Sequence, residues 1–263
     1  MIKFYSKHLF ALLTLIVSGR EIAQNAMKNI MSKRNQSKSH ILRNNLIKLC
    51  LIVIGFWGTA QTQSLEFTTG DGNPTATNGP VQNTSIRFRY NNDNPSGNTF
   101  QTYTPAVTAS FQLTNQQYTL STISTNRPVN IGYSNATGAG PILQDHNSIG
   151  APIASWYTSN GAPTGTGIDL ANNYGIMFNV LTSPLRAAGA ATSVTQYWMA
   201  DLVVTFSQAV NNPILHVAGM GSSSSSPLLG FSMEYDVVSS NTAITLAKLS
   251  GSNALSVTGT KDE

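Results

Sequence analysis

Charge is scarce in this chain: only 10% of its 263 residues are Asp, Glu, Lys or Arg. Cysteine is scarcer still, with Cys50 alone, so everything beyond residue 63 lacks disulfides, cysteine nucleophiles and thiolate metal sites. Histidine beyond residue 63 is limited to His146 and His216, which leaves little imidazole chemistry to draw on. Long apolar runs are missing as well. The runs 9–17 and 49–57 each centre on about a dozen apolar residues or fewer, where a bilayer-spanning helix needs roughly 20. No stable membrane span is expected. Beyond Ala60 no window shows helical periodicity, which excludes a helical bundle or a doubly wound α/β fold.

The charge that is present is unevenly placed. Residues 1–63 hold nine Lys and Arg against Glu21 alone, a net of +8, whereas residues 64–263 hold six basic and ten acidic residues, a net of −4. Just before this switch, Arg43 and Lys48 precede the apolar run Leu49 to Trp57, which Gly58-Thr59-Ala60 follow. Basic, then apolar, then small is the order of a secretory signal, with cleavage expected after Ala60. A second apolar run, Leu9 to Val17, lies upstream, and Met27 and Met31 separate the two; a start at Met31 gives a leader of ordinary length. Residues 1–63 are therefore expected to be a leader region and 64–263 a single exported domain. The remaining surface, rich in Asn, Thr, Ser and Gly and poor in Lys and Arg, disfavours nucleic-acid binding, which depends on neutralising phosphates.

After the switch, segments of period two dominate, rich in β-branched and aromatic residues. Strands are expected at 86–90, 106–113, 117–123, 128–133, 153–158, 174–181, 195–207, 213–218, 229–238, 242–249 and 254–258. In 198–206 the set Trp198, Ala200, Leu202, Val204 and Phe206 shares one face, so this strand is expected to be the longest and central. Turn clusters such as Gly70-Asp71-Gly72-Asn73-Pro74 and Asn91-Asn92-Asp93-Asn94-Pro95 separate the strands. The five serines 222–226 read as a mobile hairpin loop. Short strands at this spacing without alternating helices imply an all-β chain, an antiparallel β-sandwich of jelly-roll-like or Ig-like kind.

Ala200-Asp201-Leu202-Val203-Val204-Thr205-Phe206 running through Asn211-Asn212-Pro213-Ile214-Leu215-His216-Val217 to Gly219-Met220-Gly221, and then 243–252 and 255–259, form a recognisable pattern. It resembles the N-terminal β-sandwich modules of large secreted, adhesin-like surface proteins of Bacteroidetes-type bacteria. The resemblance covers roughly 195–259 and implies a secreted or cell-surface location and a passive binding role. It also implies a C-terminal sorting domain, which does not appear before Lys261-Asp262-Glu263, so the chain reads as a fragment of a longer protein.

Candidate sites divide into three chemistries. Sugar platforms combine aromatic faces with amide and hydroxyl partners, which Trp156, Tyr157 and Asn160, followed by Asn172 and Tyr174, could supply; core packing of Trp156 is the competing reading. Calcium is the one cofactor weighed, because disulfide-free exported folds tie loops with hard cations held by oxygen, and Asp71, Asp93 and Asp169 lie in Asn-rich turns. Against it stands the ordinary preference of Asp and Asn for turns. For catalysis, Glu66 with Glu234 or Asp201 with Asp236 are the carboxylate pairs that folding could assemble, but no Gly-x-Ser-x-Gly nucleophile motif occurs. His216 reads as a strand-face residue with a structural hydrogen bond and His146 as part of a solvated loop. The expectation is a non-enzymatic module whose partners are glycan, extracellular matrix or other surface domains. The rivals are a polysaccharide-acting hydrolase or its accessory domain, and a spacer without ligand.

Overall fold

The computed structural model describes residues 2–5, 9–16, 65–75, 78–93, 98–122, 126–135, 138–157, 167–189, 196–225 and 228–258. Its first strands are β1 (Ile2–Tyr5), β2 (Leu9–Ile16), β3 (Leu65–Glu66), β4 (Asn83–Arg87), β5 (Arg89–Asn91), β6 (Phe100–Thr102) and β7 (Thr108–Thr114). Then come β8 (Val129–Ile131), β9 (Ser134–Asn135), β10 (Gly138–Ala139), β11 (Leu143–Asp145) and β12 (Tyr174–Val180). A single short α-helix among the described residues, α1 (Ser183–Ala187), precedes β13 (Trp198–Phe206), β14 (Ile214–Ala218), β15 (Gly221–Ser225), β16 (Leu228–Ser232) and β17 (Glu234–Val237). The chain is all-β, and its strands pair antiparallel.

One five-stranded sheet runs in the order β17-β1-β13-β7-β4. A second runs β11-β12-β2-β14, with β8 pairing the far end of β12 alongside β11. The small sheet β3-β5-β6 and the ribbons β9-β10 and β15-β16 complete the set. In β7, Ala109, Phe111 and Leu113 are buried while Ser110 and Gln112 are exposed, the period-two signature of a strand with one face on a core. β12 is buried along nearly its whole length, as expected of a strand covered on both faces. One apolar cluster draws on both large sheets, joining Ile86, Phe111 and Leu202 to Val129, Ile131, Ile176 and Phe178. The ring of Phe67 sits 4.7 Å from Phe88 and meets Phe111 edge-on at 6.0 Å, the offset arrangements aromatic quadrupoles favour. Where the chain passes from 79 to 140, Gly79 and Gly140 exchange backbone hydrogen bonds. A Cβ on Gly140 would lie 2.0 Å from the Tyr133 carbonyl oxygen, so only glycine fits that approach.

Several expected elements differ. In β13 the alternation gives way to four consecutive buried residues, Met199 to Leu202, with Trp198, Val204 and Phe206 half-buried. The reason is a second cover: Gln117 donates its backbone N–H to the Met199 carbonyl, and Asn115 and Trp198 donate to the Asp201 carboxylate on the face away from the core. The stretch 86–90 is broken at Phe88 into β4 and β5. The stretch at 117–123 is turn and irregular chain as far as residue 122, and 153–158 holds a 3₁₀ turn at Ala154–Trp156 in place of a strand. Serines 222–225 are not a loop but most of β15, paired residue by residue with β16. The segments 242–249 and 254–258 belong to no named strand; Thr245 alone sits at an isolated bridge.

The N-terminal region contributes to both large sheets. β1 lies between β13 and β17, with Phe4 opposite Ala200 on one side and Tyr235 on the other, and β2 lies between β12 and β14. The expected signal run 49–57 and its cleavage point at Ala60 lie outside the described residues. No helix among the described residues is long and apolar enough to cross a membrane.

Candidate functional site

Two histidines and a tyrosine meet where the loops after β11 and before β12 reach β14. His146 opens a 3₁₀ turn, His146–Ser148, whose preceding Asp145 accepts from the Ser148 backbone N–H at 3.0 Å and from its hydroxyl at 2.8 Å. That cap turns the imidazole inward, and His146 is fully buried, contrary to its expected place in a solvated loop. Its ring meets Tyr157 edge-on at 5.6 Å, and Tyr157 in turn lies 5.7 Å from the ring of His216, buried on β14. The Tyr157 hydroxyl donates to the Val217 carbonyl at 3.2 Å. His146 Nδ1 is 3.2 Å from the Asn173 carbonyl, so the proton of the neutral ring belongs on Nδ1.

Burial governs how these groups titrate. Removal from water lowers His146 to about 4, against the smaller opposing pull of the Asn173 carbonyl and the Asp145 charge. Burial, with His146 adding to it, lowers His216 to about 3. The same loss of water raises the Tyr157 phenol to about 12. None of the three is poised near neutrality, where a general acid or base works best.

A second buried network adjoins the first through Asn173. Glu66 is buried, and one of its carboxylate oxygens accepts from the side-chain amides of Asn91, at 3.2 Å, and of Asn173. The Asn173 side-chain oxygen accepts from the Asp169 backbone N–H at 2.6 Å. Glu66, Asn173 and His146 thus stitch β3 to the loop before β12 and to the 3₁₀ turn. Neither network was legible in the sequence. His146 and Tyr157 are 11 positions apart, but Glu66 and Asn173 are 107 apart, and no local pattern marks such pairs.

The residues expected to bind sugar do not form one open platform. Tyr157 is buried against the two histidines, which corrects its expected exposure; its packing partners were invisible in the linear sequence. Trp156 is half-buried, packed with Leu170 and Ile214 on the cluster of Tyr157 and Ile168. Asn172 is exposed in the turn after Asp169, and Tyr174 is half-buried against the main core. Asn160 lies outside the described residues.

The three aspartates considered for calcium each hold donors on their oxygens. Asp71, at φ 53° between Gly70 and Gly72, pairs one oxygen, Oδ1, with Arg87 at 3.2 Å, while its Oδ2 is buried without a hydrogen-bond partner. Asp93 accepts from the Thr99 backbone N–H at 2.8 Å and its hydroxyl at 2.7 Å, and these bonds hold its carboxyl below the usual range. Asp169 accepts from Asn98 Nδ2 at 2.7 Å, Asn172 Nδ2 at 3.2 Å and the Ala171 backbone N–H at 3.0 Å. Among the described residues no three His, Cys, Asp or Glu side chains gather closely enough to hold a metal ion. Of the carboxylates weighed for catalysis, Glu66 and Asp201 are buried, and Glu234 on β17 accepts from Gln196.

Comparison with protein-family models, with curated proteins and with solved structures finds nothing that matches this chain.

Proposed function

We propose that this chain is an exported, non-enzymatic β-sandwich module of a bacterial cell-surface or extracellular adhesin-like protein, jelly-roll-like or Ig-like in architecture. A single apolar cluster fed by both five-stranded sheets supports the sandwich. The passive role rests above all on one observation. Four of the side chains best able to do chemistry, Glu66, Asp201, His146 and His216, are buried, and Glu66, Asp201 and His146 accept or make hydrogen bonds with loop residues. Export rests on the basic, apolar and small order of residues 43–60. The partner class is glycan, extracellular matrix or another surface domain, recognised by a surface rich in amides and hydroxyls and poor in charge.

Two measurements test this. Protein recovered from the medium or cell surface should begin within a few residues of Gln61 on N-terminal sequencing; recovery with residues 31–60 attached overturns the export reading. The recovered protein should bind on a glycan or matrix array without turning over any polysaccharide in a panel. Turnover replaces the passive module with the hydrolase reading, and no binding to any array member leaves the spacer.

A further inference from the structure

The segment after β17 is apolar, alternating and outside every named strand. Ile244 and Leu246 are 38% and 40% exposed, and Leu249 is exposed beside them. Only the four residues 238–241 separate this segment from Val237, the last residue of β17. β17 itself joins its sheet through β1 alone, at the edge. β1 runs antiparallel to both β17 and β13, and it comes from residues 1–63, outside the expected exported domain 64–263.

We propose that in the exported chain, which on the export reading lacks residues 1–60, residues 242–249 fold back on β17 and take the place that β1 holds between β17 and β13. The inference rests on the export reading above. Direction and register both fit. A chain that reverses through 238–241 is antiparallel to β17 without further constraint, as β1 is. Four connecting residues set Thr242 opposite Val237 and Ile244 opposite Tyr235, the positions Ile2 and Phe4 hold against β17. Against β13 the same substitution sets Thr242 opposite Leu202 and Ile244 opposite Ala200. Directly opposed residues of neighbouring strands share a sheet face. Leu202 and Ala200 are buried and Tyr235 packs on the core, so Ile244 would turn inward there. Leu246 follows two residues on, level with the buried Met233. A chain without residues 1–60 lacks β2 between β12 and β14 as well as β1; at the place of β1 the edges of β13 and β17 would be bare without a replacement, a template for pairing with other chains.

The test uses the full chain with a specific protease site placed at Gly58 to Ala60. Hydrogen exchange of the 242–249 amides is read before cleavage and after removal of the released N-terminal peptide. The expected result is slowing of exchange by tenfold or more at 242–249 after cleavage, with the protein monomeric by light scattering. Unchanged exchange, or an N-terminal peptide that never leaves, overturns the exchange of strands; protection that appears only in a dimer or larger species overturns the in-chain pairing in favour of donation to a second copy. Ile244→Asp supplies the control: it should leave the uncleaved chain's denaturation midpoint unchanged, because the residue is exposed there, and abolish the protection gained on cleavage. A midpoint already lowered in the uncleaved chain counts against the proposal. Exported protein that keeps residues 31–60 would defeat the export reading while leaving this outcome in vitro intact, so the two failures are separable.

Discussion

Acid should weaken this fold through its two buried histidines. His146 and His216 are buried and neutral, with proton affinities lowered to about 4 and about 3 from an ordinary 6.5. The groups facing them are Tyr157, which stays protonated, and the Asp145 carboxylate, whose pull on His146 is smaller than the effect of burial. In the unfolded chain both imidazoles take up a proton as pH falls through 6.5, whereas the folded chain refuses it until roughly pH 4. Between these limits the unfolded state binds up to two more protons, so unfolding free energy must fall as pH falls. Between pH 7 and pH 5 the linkage amounts to about 2 kcal/mol for each histidine, or roughly 4 kcal/mol together, allowing 1.36 kcal/mol per unit of pKa difference. A domain of this kind holds about 5–15 kcal/mol in all, so the loss is a large share of it. Urea denaturation followed by tryptophan fluorescence at pH 7, 6 and 5 reads the quantity directly. Replacing either histidine by Gln should roughly halve the slope between pH 7 and 5, whatever it does to stability at pH 7. Unfolding free energies at pH 5 and pH 7 that agree within about 1 kcal/mol would show that the imidazoles are hydrated or already protonated in the folded state, and the burial argument would fail.

Core truncation should rank by position along β13. Leu202→Ala, at a fully buried site, should cost about 2–5 kcal/mol in chemical denaturation. Phe206→Ala should cost about 1–3 kcal/mol, less than a buried aromatic, because Phe206 is only half-buried and stacks on Phe88 at 6.4 Å; equal costs would mean that the end of β13 is as enclosed as its middle. Asn173→Ala removes a donor from the buried Glu66 and an acceptor from the Asp169 N–H, and should cost about 1–3 kcal/mol by thermal or urea unfolding, with no measurable loss counting against the network. Melting curves in calcium and in chelator should superimpose, since Asp93 and Asp169 already direct their oxygens at N–H and O–H donors and Asp71 pairs with Arg87; a rise of several degrees with calcium would show that these partners yield to a cation.

Strand identity was legible where side-chain pattern and burial coincide. β7, β12, β13 and β14 fall within a residue or a few of the segments read from period-two alternation, because each carries apolar residues that a sheet face must cover. Failures came where pairing is a backbone matter. The serines of β15 carry no apolar face, yet their N–H and C=O groups pair with β16 from Gly221 to Ser225, so a pattern of hydroxyls concealed a strand. The converse held for Trp156 and Tyr157, whose aromatic and β-like composition suggested an extended run. Gly150 and Ala151, both at positive φ, turn the chain just before them, and the tyrosine ring then finds its place between His146 and His216. Burial of His146 followed from the same turn and from Asn173, contacts 11 and 27 positions away that no window of sequence contains. At 242–249 the pattern of a strand is present without the strand. A sequence pattern states what a segment is able to pair with, whereas the sheet states which pairings its edges leave open. Here β1 takes one edge of β17, and Ile244 and Leu246, outside any named strand, stay 38% and 40% exposed.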